Sequence, residues 1–128
     1  MEGMTTCLSE LAHSIIGGAI EVHRALGPGL LESAYLKCLD KELRFLGLKV
    51  ACEVEVPVIY RGELIGCHYR LDLLVEDAIL IEVKSVEHLL PVHSAQVLTY
   101  LKLTGLKKAL LLNFNVPVLK AGLRSFVN

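Results

Sequence analysis

The chain has 128 residues, 53% of them apolar, with 13 basic and 14 acidic side chains for a net charge of −1. That length suits one domain, residues 1–128, with a real hydrophobic core, and the apolar content excludes a disordered chain. The near-neutral balance withholds the basic footprint of a strong nucleic-acid binder.

No apolar run approaches the roughly 20 residues of a membrane span. The start, MEGMTTCLSELAHS, lacks the basic stretch and apolar run of a signal peptide, so a cytoplasmic protein without membrane contact is expected. Cys7, Cys38, Cys52 and Cys67 form no CxxC pair, which argues against a structural zinc site or an iron–sulfur cluster. Reduced, mostly buried thiols are expected.

Thr5 to Ala25 is helical by period, with Leu8, Leu11, Ala12, Ile15, Ile16, Ala19 and Val22 on one stripe. Thr5 or Thr6 suits its cap. Gly17-Gly18 suggests close packing against another element. Leu26-Gly27-Pro28-Gly29 breaks the helix. A second helix is expected from Leu30 to Leu46, with Gly47 at its end. Its stripe is Leu31, Ala34, Tyr35, Cys38, Leu39, Leu43 and Leu46. Glu32 falls in the first turn, where the helix dipole favours a carboxylate. Tyr35 lies three residues on, hence beside it on the surface; taken alone it reads as core.

Leu48 to Tyr60 alternates like a strand, and Pro57 suggests an edge. After the turn Arg61-Gly62-Glu63, a strand from Leu64 ends near Val75, and Gly66 permits a bulge. Tyr69 to Ser85, YRLDLLVEDAILIEVKS, reads as two strands joined by a tight turn. A turn centred on Asp77 sets Leu73 against Ile81 and Val75 against Ile79, with Leu71 facing Val83 on the same apolar side. On the other side Leu74 meets Leu80, Asp72 meets Glu82 and Arg70 meets Lys84. A slip of one residue spoils both faces.

That register opposes two carboxylates, which destabilises a sheet. A divalent cation resolves the conflict, and magnesium prefers oxygen ligands beside phosphate. Lys84 points to the same side, where it can orient or deprotonate a water or meet charge developing on phosphate. The Val83 carbonyl offers a further ligand. Taken alone, Glu-x-Lys in a strand more often marks a solvated face, and Asp72 alone can be an edge charge that deters aggregation.

A connection through His88 leads to a third helix, about Val92 to Leu103, packed through Ala95, Leu98, Leu101 and Val97. Gln96 and Tyr100 share a face and can reach a metal-bound water or a phosphate. His93 in the first turn can face the same cleft. Lys107 and Lys108 precede a buried strand, Ala109 to Phe114, and Val118 to Val127 is a last strand or short helix. Lys107, Lys108, Lys120 and Arg124 form a basic cluster, by default solvated and otherwise a contact for phosphate. The order of elements gives an α/β sandwich, a mixed sheet with helices packed on it, in which the third helix links parallel strands.

Gly29, Glu32 and Tyr35 spell the motif that gives the GxxExxY proteins their name, and the chain resembles that family, placed in the PD-(D/E)xK nuclease superfamily. VHRALGPGLLESAY, YRLDLLV, LLPVHSAQVLTYLKLTG and LLLNFNVP are also similar to it, so the resemblance spans about residues 10 to 128. It implies a restriction-endonuclease-like core, a mixed four- to five-stranded sheet flanked by helices. The superfamily's acids and lysine fall on Asp72, Glu82 and Lys84, its helical glutamate on Glu32, and the Q-x-x-x-Y of RecB-type nucleases on Gln96 and Tyr100. Leu71 stands where the broader motif has proline, and the cluster-bearing cysteines of the RecB-type branch are absent.

The resemblance implies metal-dependent DNA cleavage. Glu32, Asp72, Glu82 and the Val83 carbonyl would hold magnesium or manganese, Lys84 would position the water, and Gln96 and Tyr100 would hold the phosphate. By analogy the products carry a 5′-phosphate and a 3′-hydroxyl. A homodimer or a larger complex would supply the DNA-binding surface that a small neutral chain lacks. Two other readings stay open: a non-catalytic nucleic-acid- or protein-binding module on the same fold, and a phosphoester hydrolase for small substrates.

Overall fold

A computed structural model describes residues 7–128. The expected caps Thr5 and Thr6 lie outside them. Helix α1 runs Leu8–Leu26 and is capped by Cys7, whose sulfur accepts from the Glu10 amide at 3.4 Å. Helix α2 runs Glu32–Phe45, strand β1 Val50–Tyr60, β2 Glu63–Val75 and β3 Ile79–Lys84. Helix α3 follows at Pro91–Thr104, then β4 at Lys108–Asn113, a short 3-10 turn at Leu119–Gly122 and β5 at Leu123–Val127. The tail is therefore both of the forms expected for it.

The five strands make one sheet in the order β1-β2-β3-β4-β5. Neighbours are antiparallel except β3 and β4, which run parallel across the α3 connection. This is the expected α/β architecture. β1 is an edge strand, which accommodates Pro57. The β1–β2 register shifts between Pro57 and Ile59. The β2 stretch facing that shift contains Gly66.

One core cluster packs α1 and α2 on one sheet face, with Ile15, Tyr35, Leu39, Leu43, Leu73, Ile81 and Leu112 fully buried. Burying each such side chain stabilises by about 1.5–3 kcal/mol. A second cluster packs α3 on the other face through Val97 and Leu101 against Leu71, Leu80 and Leu111. The stripe expected for α3 was wrong in part: Ala95 is exposed and Leu98 is 43% exposed, because Val97 and Leu101 face the sheet instead. On α2, Leu31 and Leu46 are exposed, and Tyr35, Leu39 and Leu43 suffice as its buried row.

Gly18 holds α1 close to α2: a methyl group there would come within 2.9 Å of Leu43. All four cysteines are free and exposed, against the expectation of buried thiols. Cys38 takes the solvent side of α2, and Cys52 lies in the exposed β1–β2 hairpin. Among the described residues, no helix is long and apolar enough to cross a membrane.

The turn between β2 and β3 places Glu76 and Asp77 at φ 54 and 53, with the Ala78 amide donating to the Val75 carbonyl at 2.9 Å. Two consecutive positive φ angles match the right-handed twist of a hairpin. Lys49 holds this turn. Its ammonium meets Asp77 at 2.6 Å, and its amide donates to Glu76. The turn fixes Leu73 opposite Ile81, Leu74 opposite Leu80 and Val75 opposite Ile79, the register expected from the apolar pattern.

Candidate active site

The β2–β3 ladder stops at Leu73 and Ile81. Beyond it, carboxylates replace backbone carbonyls as acceptors. Glu82 Oε2 accepts from the Asp72 amide at 2.9 Å, and Asp72 Oδ2 accepts from the Val83 amide at 2.8 Å. The two acids hold the strands apart while satisfying their amides. The expected pairs Leu71–Val83 and Arg70–Lys84 are not part of the ladder. Leu71 also changes sides: it packs with Leu80 in the α3-side cluster, whereas Leu73 and Val83 belong to the α1–α2 side. Strict alternation fails at Asp72 because the strands part there.

Across β1, the same break shows at Glu53. It has φ 51 and no ladder partner between Cys52 and Val54. Its carboxylate meets Arg70 at 3.3 Å. Nothing in the local sequence marks it, since Glu alternates with valine there like a solvent-facing strand residue.

Glu82 is only 7% exposed. Burial first, and then the charge of Asp72, push its carboxyl up to about 8. Burial also raises Asp72 above the usual carboxylate range. The Val83 amide and the Lys84 ammonium pull it back, while Glu32 and Glu53 add to the rise. Glu32 raises Glu82 as well. The start of α2 and the split between β2 and β3 therefore share one electrostatic centre of excess negative charge.

Lys84 follows Glu82 by two residues on the same face of β3 and lowers the proton affinity of both acids. Among the described residues it is held in no salt bridge. A strand residue's amide and carbonyl face the same edge. The Val83 carbonyl thus faces the opening into which its amide reaches Asp72.

Two residues outside the expected site brace it. Ser85 donates its hydroxyl to the Leu30 carbonyl, which ties the end of β3 to the entry of α2 and so to Glu32. Asn113, 2% exposed, bonds both backbone groups of Val86: Oδ1 accepts from the amide at 3.0 Å, and Nδ2 donates to the carbonyl at 2.9 Å. Its Oδ1 also accepts from the Asn115 amide at 3.2 Å. A polar residue ending an apolar strand was the available signal for Asn113.

On the α3 side, Tyr100 is half-buried against the second core cluster. Burial, then Glu82, Tyr69 and Asp72, raise its phenol. Tyr100 therefore lies in the field of the two acids. Gln96, one turn earlier, is exposed and lines a shallow hollow with Tyr69, Ala95, Thr99 and Tyr100. His93 caps α3, its Nδ1 accepting from the Leu90 amide at 3.0 Å. Tyr35 is fully buried and stacked on Phe114 at 4.6 Å between ring centroids. Its hydroxyl donates to the Gly27 carbonyl and accepts from the Leu30 amide, so its polar end holds the loop before α2. The expected basic cluster is divided. Lys108 pairs in register with Ile79, at the far end of β3 from Lys84, whereas Arg124 lines a hollow with Glu87, His88 and Asn113.

The donor set suits a hard cation. A buried and a half-buried carboxylate repel each other, each with one oxygen left over from its amide bond, and a backbone carbonyl faces the same opening. Among the described residues, no group of three His, Cys, Asp or Glu side chains forms a ready-made cage. Magnesium is usually bound through one or two carboxylates, waters and substrate phosphate rather than through such a cage. Asp72, Glu82 and the Val83 carbonyl fit that mode; Glu32 acts on both acids through its charge but, among the described residues, completes no group of three carboxylates with them.

A family model described as the PD-(D/E)XK nuclease superfamily matches residues 9–126. No curated protein matches the chain. Among solved structures, the chain is similar to one titled "Crystal structure of SSO0001", at 18% identity and a TM-score of 0.46, over 98% of this chain and 67% of that one.

Proposed function

As the chain belongs to the PD-(D/E)XK nuclease superfamily, we propose that it is a metal-dependent deoxyribonuclease of the GxxExxY group. The observation that carries this reading is the parting of β2 and β3 around Asp72 and Glu82 with Lys84 beside them. A purely structural hairpin would continue its ladder and leave charged side chains in water. Here a buried Glu82 is set beside a half-buried Asp72 at an energetic cost, which a bound cation and phosphate would relieve.

Asp72, Glu82 and the Val83 carbonyl would hold magnesium or manganese, with Glu32 as the further carboxylate. The ion supplies Lewis-acid stabilisation of phosphate and lowers the pKa of a water. Lys84 orients the attacking water and meets the charge that grows on the phosphate. Gln96 and Tyr100 hold the phosphate from the α3 side. DNA is the proposed substrate, engaged by a homodimer or within a larger complex, because one chain of net charge −1 offers few phosphate contacts.

A non-catalytic binding module would be expected to neutralise Lys84 in an ion pair. The test is cleavage of linear, circular, single-stranded and branched DNA with magnesium or manganese. Metal-dependent cleavage that disappears in Glu82→Ala supports the reading. Cleavage of none of these substrates by the wild type would leave the binding module.

A further inference from the structure

The hollow between α3 and the β1–β2 hairpin shares Gln96 and Tyr100 with the phosphate side of the acidic centre and adds an aromatic side chain that the centre does not use, Tyr69. The rings of Tyr69 and Tyr100 stand 5.5 Å apart between centroids, inclined by 49°. Tyr100 is packed into the α3-side cluster and forms a fixed wall. Tyr69 is 45% exposed, so a large aromatic surface is left open to water. Its place is set by the strand, opposite Val56 in the ladder. Gln96 and Thr99 add polar groups to the rim.

Tyr69 lies three residues before Asp72 on β2, about 10 Å along a strand. A group seated on Tyr69 and a phosphate joined to it can therefore reach the acidic centre together. The surrounding charge decides what that group is. Glu32, Glu53, Asp72 and Glu82 gather here, against Lys84 and an Arg70 already paired with Glu53. A duplex held by its phosphates needs cations, each releasing counterions. They are scarce at this site. Stacking on an aromatic side chain needs none, and every base offers a π-face. In a duplex those faces are covered by neighbouring base pairs.

We propose that the hollow is a subsite for an unpaired nucleobase, stacked on Tyr69 beside Tyr100 with Gln96 and Thr99 at its polar edge. The nucleic acid handled at the acidic centre is accordingly single-stranded or locally unpaired. This rests on the nuclease reading only for the chemistry next to the base, not for the binding itself.

The test titrates the full-length protein, with divalent ions chelated, into a single strand carrying one 2-aminopurine and into the same sequence as a duplex. Stacking quenches the fluorescence of that base. The expected result is quenching with the single strand and weak binding of the duplex. Single-strand affinity should change by less than about tenfold between about 50 and 200 mM salt. Tyr69→Leu, which keeps apolar bulk without a ring, should bind about tenfold or more weakly. Tyr69→Phe should bind like the wild type. Binding of the duplex as tight as the single strand, binding without quenching, or an unchanged Tyr69→Leu protein would each overturn the proposal. Quenching without magnesium-dependent cleavage would sink the nuclease reading and leave the subsite standing. Cleavage without quenching or strand preference would do the reverse.

Discussion

Asp72 and Glu82 each accept a hydrogen bond from the backbone of the other's strand, at 2.8 and 2.9 Å, where a continuous hairpin would use carbonyls. The exchange keeps both amides satisfied and opens the sheet without orphaned donors. It also fixes two carboxylates side by side, Glu82 buried and Asp72 half-buried. The same pair thus builds the opening and supplies its negative charge.

The cost of that charge is readable as a pH dependence. Glu82 is pushed from 4.5 up to about 8, chiefly by burial. Between those values the folded chain holds a proton that the unfolded chain has released. Metal-free stability should therefore fall as pH rises through this window, by an amount on the order of a few kcal/mol. The effect is absent below the lower value and complete above the upper one. Glu82→Gln should flatten the profile and exceed the wild type in stability above the window. Urea midpoints at about pH 5 and about pH 9, with chelator present, measure this. A wild-type midpoint that climbs across that interval counts against the buried acid.

Lys84 separates chemistry from metal holding. Lys84→Ala should cut cleavage by about a hundredfold or more, in the range seen when one transition-state stabilising group is removed. It should leave the fold and metal binding in place. Parallel loss of metal binding and cleavage would show instead that Lys84 mainly supports the carboxylates.

Asn113 braces the segment that follows Lys84. Asn113→Ala leaves both backbone groups of Val86 without their partner and should cost roughly 2–4 kcal/mol. Thermal unfolding reads the loss. Unchanged stability would mean that water replaces the amide, and that the brace is dispensable.

Tyr35 belongs to the fold by its placement. Tyr35→Phe should keep the stack on Phe114 and lose the bonds to Gly27 and Leu30, costing about 1–2 kcal/mol. It should leave KM for a DNA substrate unchanged. A raised KM with unaltered stability would place the hydroxyl in the cleft.

Much of this was legible in residue order. Alternation fixed the Leu73–Ile81 register, because a slip would have exposed an apolar face. Pro57 marked the edge strand, and the apolar run at Ala109 marked a buried one. The break at Asp72 was not legible. Periodicity continues through Leu71, yet that side chain changes layer when the ladder parts, a tertiary event driven by two side chains ten residues apart. Glu53 and Ser85 were missed for a similar reason, since their partners Arg70 and Leu30 are distant in sequence. Tyr69 reads as an ordinary strand residue until α3 brings Tyr100 beside it.

The most direct measurement is a calorimetric titration of magnesium and of manganese into the wild type and into Glu82→Ala, at a pH above that at which Glu82 loses its proton. Binding to the wild type at up to millimolar ion, and none to the variant, is the expected result. A wild type that binds neither ion, or a variant that binds as well as the wild type, would contradict it.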